Sequence, residues 1–220
     1  MEFIVVALSI AVLAFVSIKL MKYKSLHPFM PFTYNFGKRR DTFKKTLELL
    51  DRTKAKVCIE TGTSRYGLQN VKGDGAATIL FGKWAKQNAA FLHSVDISDE
   101  SVRCARQEVE KQGLTDHVKV YESDSLLFLR DFNEPVDFLY LDSYDYSDDP
   151  DVQAKSQEHH LNEFKAIEGQ LHQNSIVLID DCRLPNGGKG KLAVAYMLAK
   201  GWKMLMNRYQ ILLVRNDFEC

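Results

Sequence analysis

From Lys56 onward, short apolar runs alternate with longer stretches whose apolar positions recur every three or four residues. The runs predict strands at Val57–Thr61, Phe91–Asp96, Val118–Tyr121, Val136–Leu141, Ile176–Asp180, Lys203–Met206 and Gln210–Val214. The intervening stretches predict helices at Ala76–Gln87, Glu100–Gln112, Leu126–Asp131, Gln157–Leu171 and Leu192–Lys200. Strands and helices taking turns in this way indicate a parallel sheet with crossover helices on both faces. Only Asn207, Arg208 and Tyr209 separate the last two runs, too few for a parallel crossover, so these strands form an antiparallel hairpin. The expected fold is therefore α/β, a mostly parallel seven-stranded sheet with a C-terminal antiparallel hairpin. Upstream, Phe43, Leu47 and Leu50 recur at i, i+4 and i+7, which predicts an amphipathic helix ending near Lys54.

The first 24 residues follow another pattern. Phe3 to Ile18 carries no charge and only Ser9 and Ser17 as polar residues, and Leu20 and Met21 extend it. About 19 residues suffice, at the short end of the range, to cross a hydrocarbon core. A cleaved signal peptide and a buried helix are the alternatives. Glu2 in place of a basic leader, and the lack of an A-x-A-like site, weigh against the first. Lys19, Lys22, Lys24, Lys38, Arg39 and Arg40 follow the span, which places the main domain on the cytoplasmic side. The expected organisation is one N-terminal transmembrane helix within residues 1–24, a linker or docking segment at 25–40, and the main domain at 41–220. The chain is then a single-pass, membrane-anchored protein. The aromatics of 25–40 sit at the bilayer interface or cover part of the active site.

Composition narrows the chemistry. Lys+Arg 29 against Asp+Glu 29 removes the basic field that nonspecific nucleic-acid binding needs, so no nucleic-acid partner is expected. Cys58, Cys104, Cys182 and Cys220 lie far apart with no C-x-x-C pair, which indicates neither a zinc site nor a disulfide framework. A reducing compartment fits best.

Ligands of such a sheet bind beyond the carboxyl ends of the strands. Here those ends are acidic in five consecutive cases: Glu60, Asp96, Asp124, Asp142, and the pair Asp180 and Asp181. A single Asp there is commonly a helix cap or turn former. Five in succession are hard to explain by packing.

The stretch V-C-I-E-T-G-T-S-R-Y-G at 57–67 resembles the first motif of class I S-adenosylmethionine-dependent methyltransferases. S-V-D-I-S at 94–98 resembles their second motif, and E-S-D-S at 122–125 their adenine-side motif. The resemblance covers residues 41–215 and implies a Rossmann-like methyltransferase fold with S-adenosylmethionine as cofactor. It implies that Glu60, Gly62, Thr63, Ser64 and Gly67 receive the methionine half. Asp96 and Ile97 would meet the ribose, and Asp124 and Ser125 the base. A carboxylate suits Asp96 because it can accept from both ribose hydroxyls. Gly62 to Asp96 exceeds the usual spacing of about 20 residues. The excess lies in a Gly-rich insert, Leu68–Gly75, expected to loop over the site.

F-L-Y-L-D-S-Y-D at 138–145 and I-V-L-I-D-D at 176–181 narrow the resemblance to divalent-metal-dependent O-methyltransferases of the catechol, caffeoyl-CoA and macrocin types. This implies Asp142, Asp180 and Asp181 as ligands of a magnesium-class ion, a hard cation suited to oxygen donors. The ion would hold and acidify a substrate hydroxyl. Catechol-type enzymes carry a catalytic lysine three residues after the strand-four Asp, where this chain has Asp145, so that role does not carry over. The catalytic candidates are Asp142, Asp145 in a substrate-facing loop at Ser143–Pro150, and His159. His159 is either a base or a polar residue on the first turn of a helix. Pro185–Gly190 is expected to be a flexible lid, with Lys189 and Lys191 either meeting an anionic substrate or solvated. The expected activity is methyl transfer from S-adenosylmethionine to a small-molecule hydroxyl, assisted by a divalent metal. The alternatives are a metal-independent methyltransferase acting on nitrogen or a protein side chain, and a non-catalytic cofactor-binding module at the membrane.

Overall fold

The structure is a computed structural model of the chain that describes residues 8–17 and 35–219. Seven strands form one sheet: β1 (Val57–Thr61), β2 (Phe91–Asp96), β3 (Val118–Glu122), β4 (Val136–Leu141), β5 (Leu171–Ile179), β6 (Trp202–Asn207) and β7 (Ile211–Arg215). Their order is β3-β2-β1-β4-β5-β7-β6; every pairing is parallel except those of β7, which is antiparallel to β5 and β6. The strand order reverses between β1 and β4, which opens a crevice at the carboxyl ends of the central strands.

The central strands are apolar on both faces because helices cover both. The helices after the first are α2 (Arg40–Thr53), α3 (Val71–Asp74), α4 (Ala77–Asn88), α5 (Asp99–Lys111), α6 (Ser125–Asp131), α7 (Pro150–Ile167) and α8 (Lys191–Ala199). Cys58, Phe138, Tyr140, Ile176, Leu178, Leu212 and Val214 point to the layer of α2, α4 and α5. Their neighbours Ile59, Leu139, Leu141, Val177, Ile179 and Leu213 point to the layer of α6, α7 and α8. This period of two sends the apolar side chains of the central strands alternately into two cores. Side-chain caps from Ser98, Asp124 and Asp149 start α5, α6 and α7.

Three expectations are corrected. The first concerns the membrane. Among the described residues no helix is long and apolar enough to cross one. The described part of the apolar segment is a helix, α1, over 8–17. Ten residues at 1.5 Å each span about half of a hydrocarbon core. Residues 1–7 and 18–34 lie outside the described residues. The transmembrane helix and the membrane localisation derived from it are withdrawn. The charge argument also loses two members, because Arg39 and Arg40 are buried in the folded domain.

The second correction moves a helix start. α7 begins at Pro150, with Asp149 as its cap and proline in its first turn, not at Gln157. It ends at Ile167, and Leu171 opens β5. His159 therefore lies in the third turn of α7. The third concerns Pro185–Gly190, which is pinned rather than free. Tyr146 Oη donates to the Pro185 carbonyl (2.6 Å), and Gln157 Nε2 to that of Asn186 (3.2 Å).

Candidate active site

Glu60 sits near the end of β1 and is almost wholly buried. Its Oε2 accepts from Thr78 Oγ1 on α4 (2.7 Å) and from Ser94 Oγ, its register partner on β2 (2.6 Å). Burial pushes its carboxyl up to about 8, against the pull of those hydrogen bonds. Gly62 follows with φ +81°; a Cβ there would stand 2.3 Å from the Asp142 carbonyl oxygen. Glycine thus lets the end of β1 touch the end of β4.

The turn after Gly62 is tied to β2. Thr63 N–H donates to Asp96 Oδ2 (3.0 Å) and Ser98 N–H to Asp96 Oδ1 (2.8 Å). Ser64 N–H donates to Thr78 Oγ1 (2.9 Å). At the end of β3, Asp124 accepts from Leu127 N–H (3.1 Å), so it is indeed a helix cap, and it also faces the cavity.

These residues line one crevice of about 770 Å³, within the range of small-molecule sites. Of the sequence-derived candidates it brings together Glu60, Gly62, Thr63, Ser64, Asp96, Ile97, Asp124, Ser125, Asp142, Asp145 and His159. Gly67 is not among its lining residues; its Cα backs onto Glu108 of α5. Asp180 and Asp181 also lie outside the lining. Arg65, the arginine of the E-T-G-x-x-R stretch, also lines it, as do Tyr66, Asp74 and Tyr144, which were given no role in the sequence. Arg65 bridges Asp145 (3.0 Å) and Asp74 (3.6 Å), joining the Gly-rich insert to the loop after β4. The insert is a packed cover carrying α3, with Val71 buried.

His159 reaches the crevice from α7. Its Nε2 lies 3.1 Å from Ser125 Oγ and 3.3 Å from Glu163 Oε1, and its ring centroid lies 5.4 Å from that of Tyr144. Burial opposes a charge on His159, but the hydrogen bond and charge of Glu163 outweigh it and raise its pKa. Glu163 is fully buried and also accepts from Ser143 Oγ (2.7 Å). His160 points away, with Nδ1 2.7 Å from the Ser156 carbonyl, and burial pushes it down to about 4.

The acids after β4 and β5 have partners that the sequence did not suggest. Asp142 Oδ1 accepts from Lys189 Nζ (2.8 Å), and its Oδ2 lies 3.2 Å from Tyr140 Oη. Asp180 Oδ2 accepts from Arg39 Nε and Tyr140 Oη, both at 2.5 Å, and Oδ1 from Asp181 N–H (2.7 Å). Asp181 pairs with Arg39 Nη2 and Lys189 Nζ, both at 3.3 Å. All six carboxylate oxygens therefore have a polar neighbour within 3.3 Å. Among the described residues no group of three or more His, Cys, Asp or Glu is arranged to hold a metal ion. The residues at this place do not fit the divalent ion that the sequence resemblance implies.

The strand order and the acid-lined crevice after the glycine turn are those of the class I S-adenosylmethionine-dependent methyltransferases. A family model described as a methyltransferase domain matches residues 72–182, half of the chain, and the chain belongs to that family. Solved structures share the fold. A methyltransferase from Podospora anserina bound to S-adenosylhomocysteine has a TM-score of 0.60 at 16% identity, covering 90% of this chain and 86% of its own. An O-methyltransferase from Bacillus cereus in complex with S-adenosylhomocysteine has a TM-score of 0.57 at 15% identity, covering 91% and 88%. A comparison with curated protein sequences gave no match.

Proposed function

We propose that the chain transfers a methyl group from S-adenosylmethionine to a hydroxyl oxygen of a small, neutral or cationic acceptor. The observation that carries this reading is the convergence of Glu60, Gly62, Asp96 and Asp124 on one crevice at successive strand ends. Glu60 and the backbone at Gly62 would hold the methionine half, Asp96 the ribose hydroxyls, and Asp124 with Ser125 the adenine. Bound there, the cofactor supplies an electrophilic methyl group on a sulfonium. Two solved structures of the same fold hold S-adenosylhomocysteine, and one of them is an O-methyltransferase.

The charge of the crevice supports the acceptor class. Asp96 and Asp124 line it without a cationic partner, Asp142 is paired with Lys189 behind it, and Arg65, the one Lys or Arg among the described lining residues, is shared between Asp74 and Asp145. Such a field favours a sulfonium donor and disfavours an anionic acceptor. Glu163 raises the pKa of His159, which favours the imidazolium form that donates a hydrogen bond into the crevice. An amine acceptor is the second reading, favoured by the same acidic lining. The test is transfer of a labelled methyl group by the full chain to a panel of phenols, amines and anionic phenols. Neutral or cationic acceptors should be labelled at least tenfold faster than anionic ones. A preference for the anionic members would contradict this reading.

A further inference from the structure

We infer that Arg39 and Lys189 are built-in cations that take the place of a divalent ion beside the crevice, so that methyl transfer by this chain needs no metal. This rests on the methyltransferase reading above. Three carboxylates within one small cluster repel one another unless positive charge is supplied. Here the chain supplies it. Lys189 Nζ lies within hydrogen-bond reach of four oxygens: Asp142 Oδ1 (2.8 Å), the Ser143 carbonyl (3.0 Å), Asp181 Oδ2 (3.3 Å) and the Asp142 carbonyl (3.4 Å). An ammonium surrounded by oxygens in this way occupies the position of a bound ion. Arg39 covers the other side, gripping Asp180 and Asp181 and donating from Nη1 to the Gly73 carbonyl (3.0 Å). Both cations are buried.

The backbone is shaped to deliver them. Gly188 has φ +58°, and a Cβ on it would stand 1.9 Å from the Asp181 carbonyl oxygen. A Cβ on Gly190 would stand 2.5 Å from Cys182 Sγ. The lysine enters between these two glycines because only chain without side chains can pass there. On the other side, Arg39 ends a short 3-10 turn whose preceding Phe36 packs edge-on against Phe43 of α2 (5.8 Å). Bringing a dication into the cluster would set it against two buried cations that already pair with all three carboxylates. The cluster is thus structural: it fixes the ends of β4 and β5 beneath the crevice and joins the segment before α2 to that floor.

The test is calorimetric titration of the full chain with manganese chloride, without cofactor or acceptor, beside the Lys189→Met and Arg39→Gln variants. The wild type should show no saturable binding up to about 1 mM manganese. Each variant should melt lower than wild type, gain manganese binding, and recover part of its melting temperature in manganese. Saturable binding to wild type overturns the inference, as does failure of both folded variants to bind manganese. Should neither variant fold, the wild-type titration decides alone. S-adenosylhomocysteine titrated into the same wild-type sample reads the methyltransferase assignment separately.

Discussion

At the scale of single residues, the end of β1 is defined by what cannot be there. Gly62→Ala places a Cβ against the Asp142 carbonyl at a backbone angle that side chains avoid. The expected loss is roughly 2 kcal/mol or more of stability by denaturant titration, with cofactor affinity falling in parallel. Glu60 gives a pH signature. Its folded pKa of about 8 stands above the ordinary value of 4.5, so the neutral carboxyl contributes stability that is fully present below about pH 4.5 and is lost as pH rises through 8. Glu60→Gln removes this loss. Melting curves of the ligand-free proteins from pH 5 to 9 should show the variant gaining on wild type as pH rises, and a constant difference would contradict it. The strand-end acids were legible because Asp and Glu stand out at the ends of apolar runs. Arg39 and Lys189 were not, because the contacts that explain them join residues up to 142 positions apart and the lysine alone looks solvated. The one local hint was the glycine on either side of Lys189, which demands a close backbone approach.

At the scale of elements, most strands were readable because β1, β2 and β4 are buried on both faces and end at turn-forming residues. α7 was misplaced for a physical reason. Its first turns are polar, so apolar periodicity starts late, while the Asp149–Pro150 pair carries the true start. That shift moves His159 from an exposed helix start to a helix middle, against the crevice and Glu163. Glu163 links two loops through α7, accepting from Ser143 after β4 and meeting His159, which touches Ser125 after β3. Burial opposes its ionisation, yet the His159 hydrogen bond and nearby histidine charge hold its pKa below the ordinary value. Glu163→Ala should therefore cost about 3 kcal/mol at neutral pH, measured by urea denaturation. A cost under about 0.5 kcal/mol, the level of ordinary surface substitutions, would remove Glu163 as the link.

At the scale of the whole molecule, alternation of strands and helices made the sheet and its hairpin readable, and the reversal of strand order then set the crevice. The apolar N-terminal segment misled because hydrophobic length alone resembles a span; the described helix there is too short to be one. Asp96 is the most exacting test of the whole account, since its carboxylate ties the glycine turn to the second strand end while facing the cavity. The decisive measurement is calorimetric titration of the full chain with S-adenosylhomocysteine, in wild type and Asp96→Ala. Wild type should bind at one site per chain, and the variant should lose roughly 1.5–3 kcal/mol for each charge-assisted hydrogen bond removed. A folded wild-type chain that binds neither S-adenosylhomocysteine nor S-adenosylmethionine would contradict the account.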